Sequence, residues 1–172
     1  MESRGSFVFS ALSAVKSMLL IDAIAQVESG NRPVVGDNGA AISAWQIHRA
    51  VWQDVHVRWG NPDRVAEGKV YLDVGEKWED IGGEDELSRT RARNCARGQV
   101  SIISEFLNRH NITASADNIY ACWNLGCEGF RRRQFSLAHC PDITIRAASQ
   151  VEFLADHKPK PIQPQRTQRE QR

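Results

Sequence analysis

Apolar residues recur at three- and four-residue spacing in three separate stretches of this chain, which commits most of it to helices that bury one face. The first stretch, Ser17 to Glu28, carries Leu20, Ile21, Ile24 and Val27, with Gly30 as a C-terminal stop. The second carries Ala96, Val100, Ile103 and Leu107 up to His110, and the third carries Ile143, Ala147, Val151 and Leu154 behind a cap at Asp142. Shorter helices are expected from Ala44 to about Trp59, on Ile47, Val51 and Val55, and from about Ala116 through Asn124. Between the first helix and the next, Pro33, Gly36, Asp37, Asn38 and Gly39 flank Val34 and Val35, so residues 31–44 should form a loop with a short hairpin. Residues 60–89 show no sustained period. The expected fold class is mainly α: a compact helical domain with at most a small β-hairpin.

The length, 172 residues, suits one hydrophobic core. Residues 17–157 are read as that domain. Residues 158–172 are mostly Pro, Gln, Arg and Lys, too polar to offset their ordering entropy, and are read as a disordered tail. In residues 1–16 the apolar run from Phe7 to Val15 is too short to span a bilayer. This segment reads either as a weak signal peptide, which Glu2 spoils, or as an extension of the first helix. A net charge of +1 gives no global pull toward nucleic acid or membrane, and Arg131, Arg132 and Arg133 read as a solvated face. No nucleic-acid partner, integral membrane segment, metal or cofactor is expected, and the chain is expected to be a monomer. Cys95, Cys122, Cys127 and Cys140 would permit two disulfides in three connectivities. A zinc set of Cys122, Cys127, His139 and Cys140 lacks the paired Cys-x-x-Cys spacing, and the redox compartment stays open.

One residue of the first helix is out of place. Glu28 follows Ile24 by four positions and Ile21 by seven, on the stripe that faces the core. Desolvation there, and the negative end of the helix dipole, both disfavour the ionised form and keep a carboxylic acid protonated toward neutral pH. A general acid that protonates a glycosidic oxygen needs that property; the handling of two carboxylates in lysozyme is the standard example of such tuning. The competing reading is a last-turn glutamate that bends out to water.

The neighbours of Glu28 decide between these readings. The stretch Glu28-Ser29-Gly30-Asn31, followed by Gly36-Asp37-Asn38-Gly39-Ala40-Ala41 and Gln46-Ile47, resembles the first motif of soluble lytic transglycosylases and goose-type lysozymes. Downstream, Tyr120-Ala121-Cys122-Trp123-Asn124-Leu125-Gly126 is similar to that family's Ala-Tyr-Asn-Ala-Gly motif, and Asn94-Cys95-Ala96-Arg97-Gly98 resembles the start of its central helix. The three stand in the family's order and span most of residues 17–155.

The resemblance implies an α+β lysozyme-like fold, with its hairpin near the cleft, acting on peptidoglycan glycan strands of the cell wall. It makes Glu28 the acid/base, Ser29 a partner that orients it and Asp37 a supporting loop residue. Gln46, Tyr120, Trp123 and Asn124 become groove residues, core packing being the alternative for the two aromatics. The implied reaction breaks the β-1,4 bond after N-acetylmuramic acid. Attack by the muramyl 6-hydroxyl gives the 1,6-anhydro end of a transglycosylase, the outcome expected here; attack by water gives a lysozyme's product. A catalytically degenerate wall-binding domain is the rival reading. Several positions depart from the family. Ser43, Trp45 and Leu125 replace smaller or more flexible residues and are expected to add bulk beside the cleft, and His48 stands where goose-type relatives often carry Asp. The final helix, at Thr144-Ile145-Arg146-Ala147-Ala148, lacks the family's glutamate-holding tyrosine, for which Tyr71 or Tyr120 is the substitute.

Overall fold

Helix α1 (Ala11–Ser29) runs through the centre of the packing: its largest interface is with the last helix, α6 (Asp142–Asp156), and it also touches α3 (Glu86–Arg109). The structure is a computed structural model that describes residues 11–59 and 75–157. Within them, α1 leads through a loop to a two-stranded antiparallel hairpin, β1 (Ala41–Ile42) and β2 (Ile47–His48), and directly into α2 (Arg49–Trp59). After α3 come α4 (Ala116–Leu125), the short α5 (Cys127–Arg132) and α6. The described chain is therefore mainly helical with one small hairpin, as the periodicity predicts. No helix among the described residues is long and apolar enough to cross a membrane. Most of the 1–16 segment, Tyr71 and the 158–172 tail lie outside the described residues, although α1 begins at Ala11, ahead of the predicted Ser17.

The α1 stripe is buried as its spacing requires, with Leu20, Ile21 and Ile24 in the core and Val27 packed on its edge. Four elements differ from expectation. Helix α2 starts at Arg49 rather than Ala44, because Ser43 to His48 turn back on themselves; Ser43 and Gln46 take φ of 74° and 49°, outside helical space. Helix α3 starts ten residues before Ala96, at Glu86, because Asp85 caps it by accepting from the Ser88 N–H at 2.9 Å. Pro141 rather than Asp142 stands at the α6 cap, and its buried face is Thr144, Ala148 and Val151, leaving the predicted core residue Ile143 72% exposed. Helix α5 was not expected. Gly126, at φ 72° and ψ 149°, breaks the chain between α4 and α5, a conformation that suits glycine.

Candidate active site

The segment between α1 and α2 is backbone under tension. Among the described residues eight non-glycine positions have positive φ, and five of them, Asn31, Asp37, Asn38, Ser43 and Gln46, fall in this segment. Each costs about 1 kcal/mol or more, so something must hold it there. Side chains do so. The Ser29 hydroxyl bridges the end of α1 to the hairpin through the carbonyls of Ala25 (3.1 Å) and Ala44 (2.8 Å), and accepts the Arg32 N–H. The Gln46 amide donates to the carbonyls of Val34 (3.0 Å) and Ser43 (2.9 Å). Gly36 is glycine because a Cβ there would fall 1.8 Å from Gln46 Oε1. Arg89, from α3, pins the turn after α1 by donating to Asn31 Oδ1 at 2.6 Å.

At the edge of this frame sits Glu28. It is partly buried, and its Oε1 is fully buried with no hydrogen-bond partner. An orphaned buried acceptor costs about 1–3 kcal/mol and calls for an explanation. Burial raises the Glu28 pKa above its ordinary value of 4.5 and is the largest influence on it. The hydrogen-bonding Tyr120 hydroxyl opposes that shift, the charge of Asp37 reinforces it, and His48 opposes it more weakly. Burial also drives the Tyr120 phenol upward, with Glu28 adding to it, so the hydroxyl keeps its proton. Asp37 in turn faces His48, whose Nε2 lies 3.0 Å from Asp37 Oδ2 on the exposed side of the hairpin. A Glu28 carboxyl whose pKa burial raises, a phenol behind it and a second carboxylate nearby are thus brought together at one place.

The predicted site residues divide accordingly. Glu28, Asp37 and Tyr120 are brought together. Tyr120, only 3% exposed, is packed in the core rather than open to a groove, and its hydroxyl acts on the Glu28 carboxyl. Ser29 and Gln46 have their polar groups turned onto backbone, so they shape the loop instead of orienting Glu28 or meeting a ligand. Trp123 is partly buried, and Asn124 is exposed one turn along α4 from Tyr120. Asn124 Oδ1 accepts from the Thr144 hydroxyl of α6 at 2.7 Å, which leaves its NH2 to donate outward.

Trp45 does not crowd the site. It is fully buried, donates its indole N–H to the Ile21 carbonyl at 2.9 Å and lies under Arg93. Ser43 is buried as well, and its hydroxyl accepts the Trp45 N–H at 3.3 Å, compensating for a backbone conformation in which glycine is easier. His48 is the functional neighbour that residue-by-residue comparison left without a role. Its signal was present, as the residue after β2's Ile47 directly across from Ala41, four positions past Asp37.

Other charged features have local explanations. Arg133 donates to the Gly129 carbonyl and Arg131 pairs with Glu128, so the basic run serves the end of α5. No group of three or more His, Cys, Asp or Glu among the described residues could hold a metal ion, so the zinc set does not converge, and all four cysteines are free. A small cavity behind the hairpin, lined by residues including Pro33, Trp45, Ile81 and Arg89, does not involve Glu28. No protein-family model, curated protein or solved structure matches the chain.

Proposed function

We propose that this chain is a peptidoglycan-degrading glycosidase in which Glu28 is the general acid, acting on the bond that follows N-acetylmuramic acid. The observation that carries the proposal is the Glu28 carboxyl itself: half-buried, raised in pKa, and with one oxygen lacking any protein partner. A carboxyl that is partly desolvated, raised in pKa and left with an unpaired oxygen is suited to proton transfer. The Glu-Ser, Gly-Asp, Gln-Ile and Trp-Asn motifs support the substrate class.

In this reading Glu28 donates its proton to the glycosidic oxygen as the bond to the anomeric carbon lengthens, and the sugar passes through an oxocarbenium-like state. Ionised after the transfer, Glu28 is steadied by the Tyr120 hydroxyl, a hydrogen bond that favours its charged form. It then takes the proton of the attacking hydroxyl. When that nucleophile is the muramyl 6-hydroxyl, the product is a 1,6-anhydro end and the enzyme is a lytic transglycosylase. Asn124 offers a donor to the glycan, and Trp123 an apolar face for a sugar ring.

One observation favours water as the nucleophile instead. Asp37 is a second carboxylate near enough to act on Glu28, and the His48 contact holds it in place. Mass spectrometry of digested peptidoglycan separates the outcomes: anhydro-muramyl ends support the transglycosylase, reducing muramic acid ends the lysozyme. A preparation that binds walls but releases no soluble muropeptides anywhere between about pH 4 and 8, where such an acid should work, would leave only a wall-binding domain.

A further inference from the structure

Helix α6 packs on α4, and a polar contact crosses the seam: the Thr144 hydroxyl donates to Asn124 Oδ1 at 2.7 Å. The two ends of this bond sit in different surroundings. Thr144 is 1% exposed and belongs to the buried face of α6 with Ala148 and Val151, whereas Asn124 is exposed. A hydroxyl withdrawn from water must keep its proton on an acceptor. An exposed amide has no such need, because water serves its oxygen and its NH2 equally well and either end can turn outward. Control therefore runs from Thr144 to Asn124: the oxygen is turned in toward α6, and the NH2, with two donors, faces out. The position of that amide matters as well. Asn124 follows Tyr120 by four residues, one turn along the same face of α4, and Tyr120 is the residue whose hydroxyl acts on Glu28.

We propose that Thr144 is a positioning residue that makes Asn124 a donor-only contact, and that Asn124 thereby selects the N-acetyl group of a glycan over a free amine. This rests on the groove reading of Asn124 given above and adds which sugar substituent the amide recognises. An acetamido group offers a carbonyl oxygen, an acceptor to which the outward NH2 donates. Removing the acetyl group leaves an amine whose ammonium form has donors and no acceptor, so it meets the NH2 donor to donor. An asparagine free to turn over does not discriminate, since its Oδ1 accepts from an ammonium as readily as its NH2 donates to a carbonyl. With Oδ1 engaged by Thr144, turning over strips a buried hydroxyl of its acceptor, and that escape is closed. Matching donors to acceptors in this way discriminates more sharply than apolar fit does.

The test compares peptide-free glycan strands of peptidoglycan with the same strands after chemical removal of their acetyl groups, by isothermal titration in mildly acidic buffer that keeps the free amines protonated. Every titration uses the full chain in the Glu28→Gln background, so that binding is read without turnover. The parent should bind the acetylated strands more tightly. Thr144→Val keeps the shape of the buried side chain and releases Asn124 Oδ1; it should reduce that preference by about fivefold, the worth of one ordinary hydrogen bond. Thr144→Ser should restore the preference, and Asn124→Asp, an exposed change that puts an acceptor where the donor was, should reverse it. A purely structural Thr144 would lower the melting temperature of Thr144→Val and leave the preference unchanged. That result overturns the proposal, as does a parent that binds both strands alike or neither, or a preference that persists in Asn124→Asp. Failure of the chain with Glu28 intact to release muropeptides would count against Glu28 as the acid and leave the strand preference standing.

Discussion

Among the described residues, Glu76 and Glu28 are both withdrawn from solvent, and they are treated in opposite ways. Glu76, whose side chain is 1% exposed, is enclosed by cationic and donor groups: Trp52 Nε1 donates to it at 3.3 Å, His56 Nε2 stands 3.5 Å away and Arg91 Nε 3.7 Å away. Glu28 is less deeply buried and, among the described residues, forms no ion pair with a cation; it has one orphaned oxygen, a phenol and a neighbouring negative charge. The first arrangement surrounds the carboxylate with partners from α2 and α3 and ties the two helices together; the second lets burial raise the pKa of the acid. Burial alone does not set how a carboxyl behaves. The partners do.

That contrast can be broken by exchanging what is lost. Replacing Glu28 with Gln keeps size and polarity but removes the proton, so muropeptide release should fall by about 10²–10⁴-fold while wall pelleting is retained. The same assay on Glu76→Gln should show turnover per folded molecule near that of the wild type; a comparable loss there would merge the two classes. Stability should respond in reverse. Glu76→Ala removes the carboxylate that Trp52, His56 and Arg91 face and should cost about 3 kcal/mol in urea unfolding.

The tuning groups sharpen the comparison through the alkaline limb of the pH–rate profile, which follows loss of the Glu28 proton. Tyr120 lowers the Glu28 pKa, so Tyr120→Phe should move that limb to higher pH; Asp37 raises it, so Asp37→Asn should move it lower. Shifts in the same direction for both variants would contradict the roles assigned to them.

The smallest effect concerns stability against pH. Because the Glu28 pKa in the folded chain is raised above its ordinary 4.5, its contribution is fully present below that value and is lost as pH climbs through the raised one. Glu28→Gln removes the loss. Thermal unfolding at neutral pH should then favour the variant by about 1 kcal/mol, the usual scale when an active-site constraint is relieved, and the gain should vanish below pH 4.5.

Much of this molecule was legible in one dimension. Helical spacing in α1 and α3 depends only on which residues are apolar, and Leu20, Ile24, Ile103 and Leu107 are buried as that pattern requires. Glu28 was conspicuous for the same reason, a charged residue on an apolar stripe. The start of α3 was missed because its first turns are polar, and its cap, Asp85 with Ser88, is a signal carried by two residues alone. In α6 the error was one of phase: Ile143 and Thr144 are adjacent, and the neighbours α1 and α4 decide which of them faces inward.

The sequence by itself determined the mainly helical character, the hairpin loop and the identity of the unusual acid, since these follow from local periodicity and turn chemistry. Only the tertiary structure decided what surrounds that acid. Tyr120 is 92 residues from Glu28 in the chain, yet it meets the carboxyl because α4 and α1 both pack on α6. The amide of Gln46 and the hydroxyl of Ser29 were spent on backbone, because a loop with so much left-handed strain needs internal donors to hold it. A side chain's type limits the bonds it can make, but its place in the packed fold selects among them.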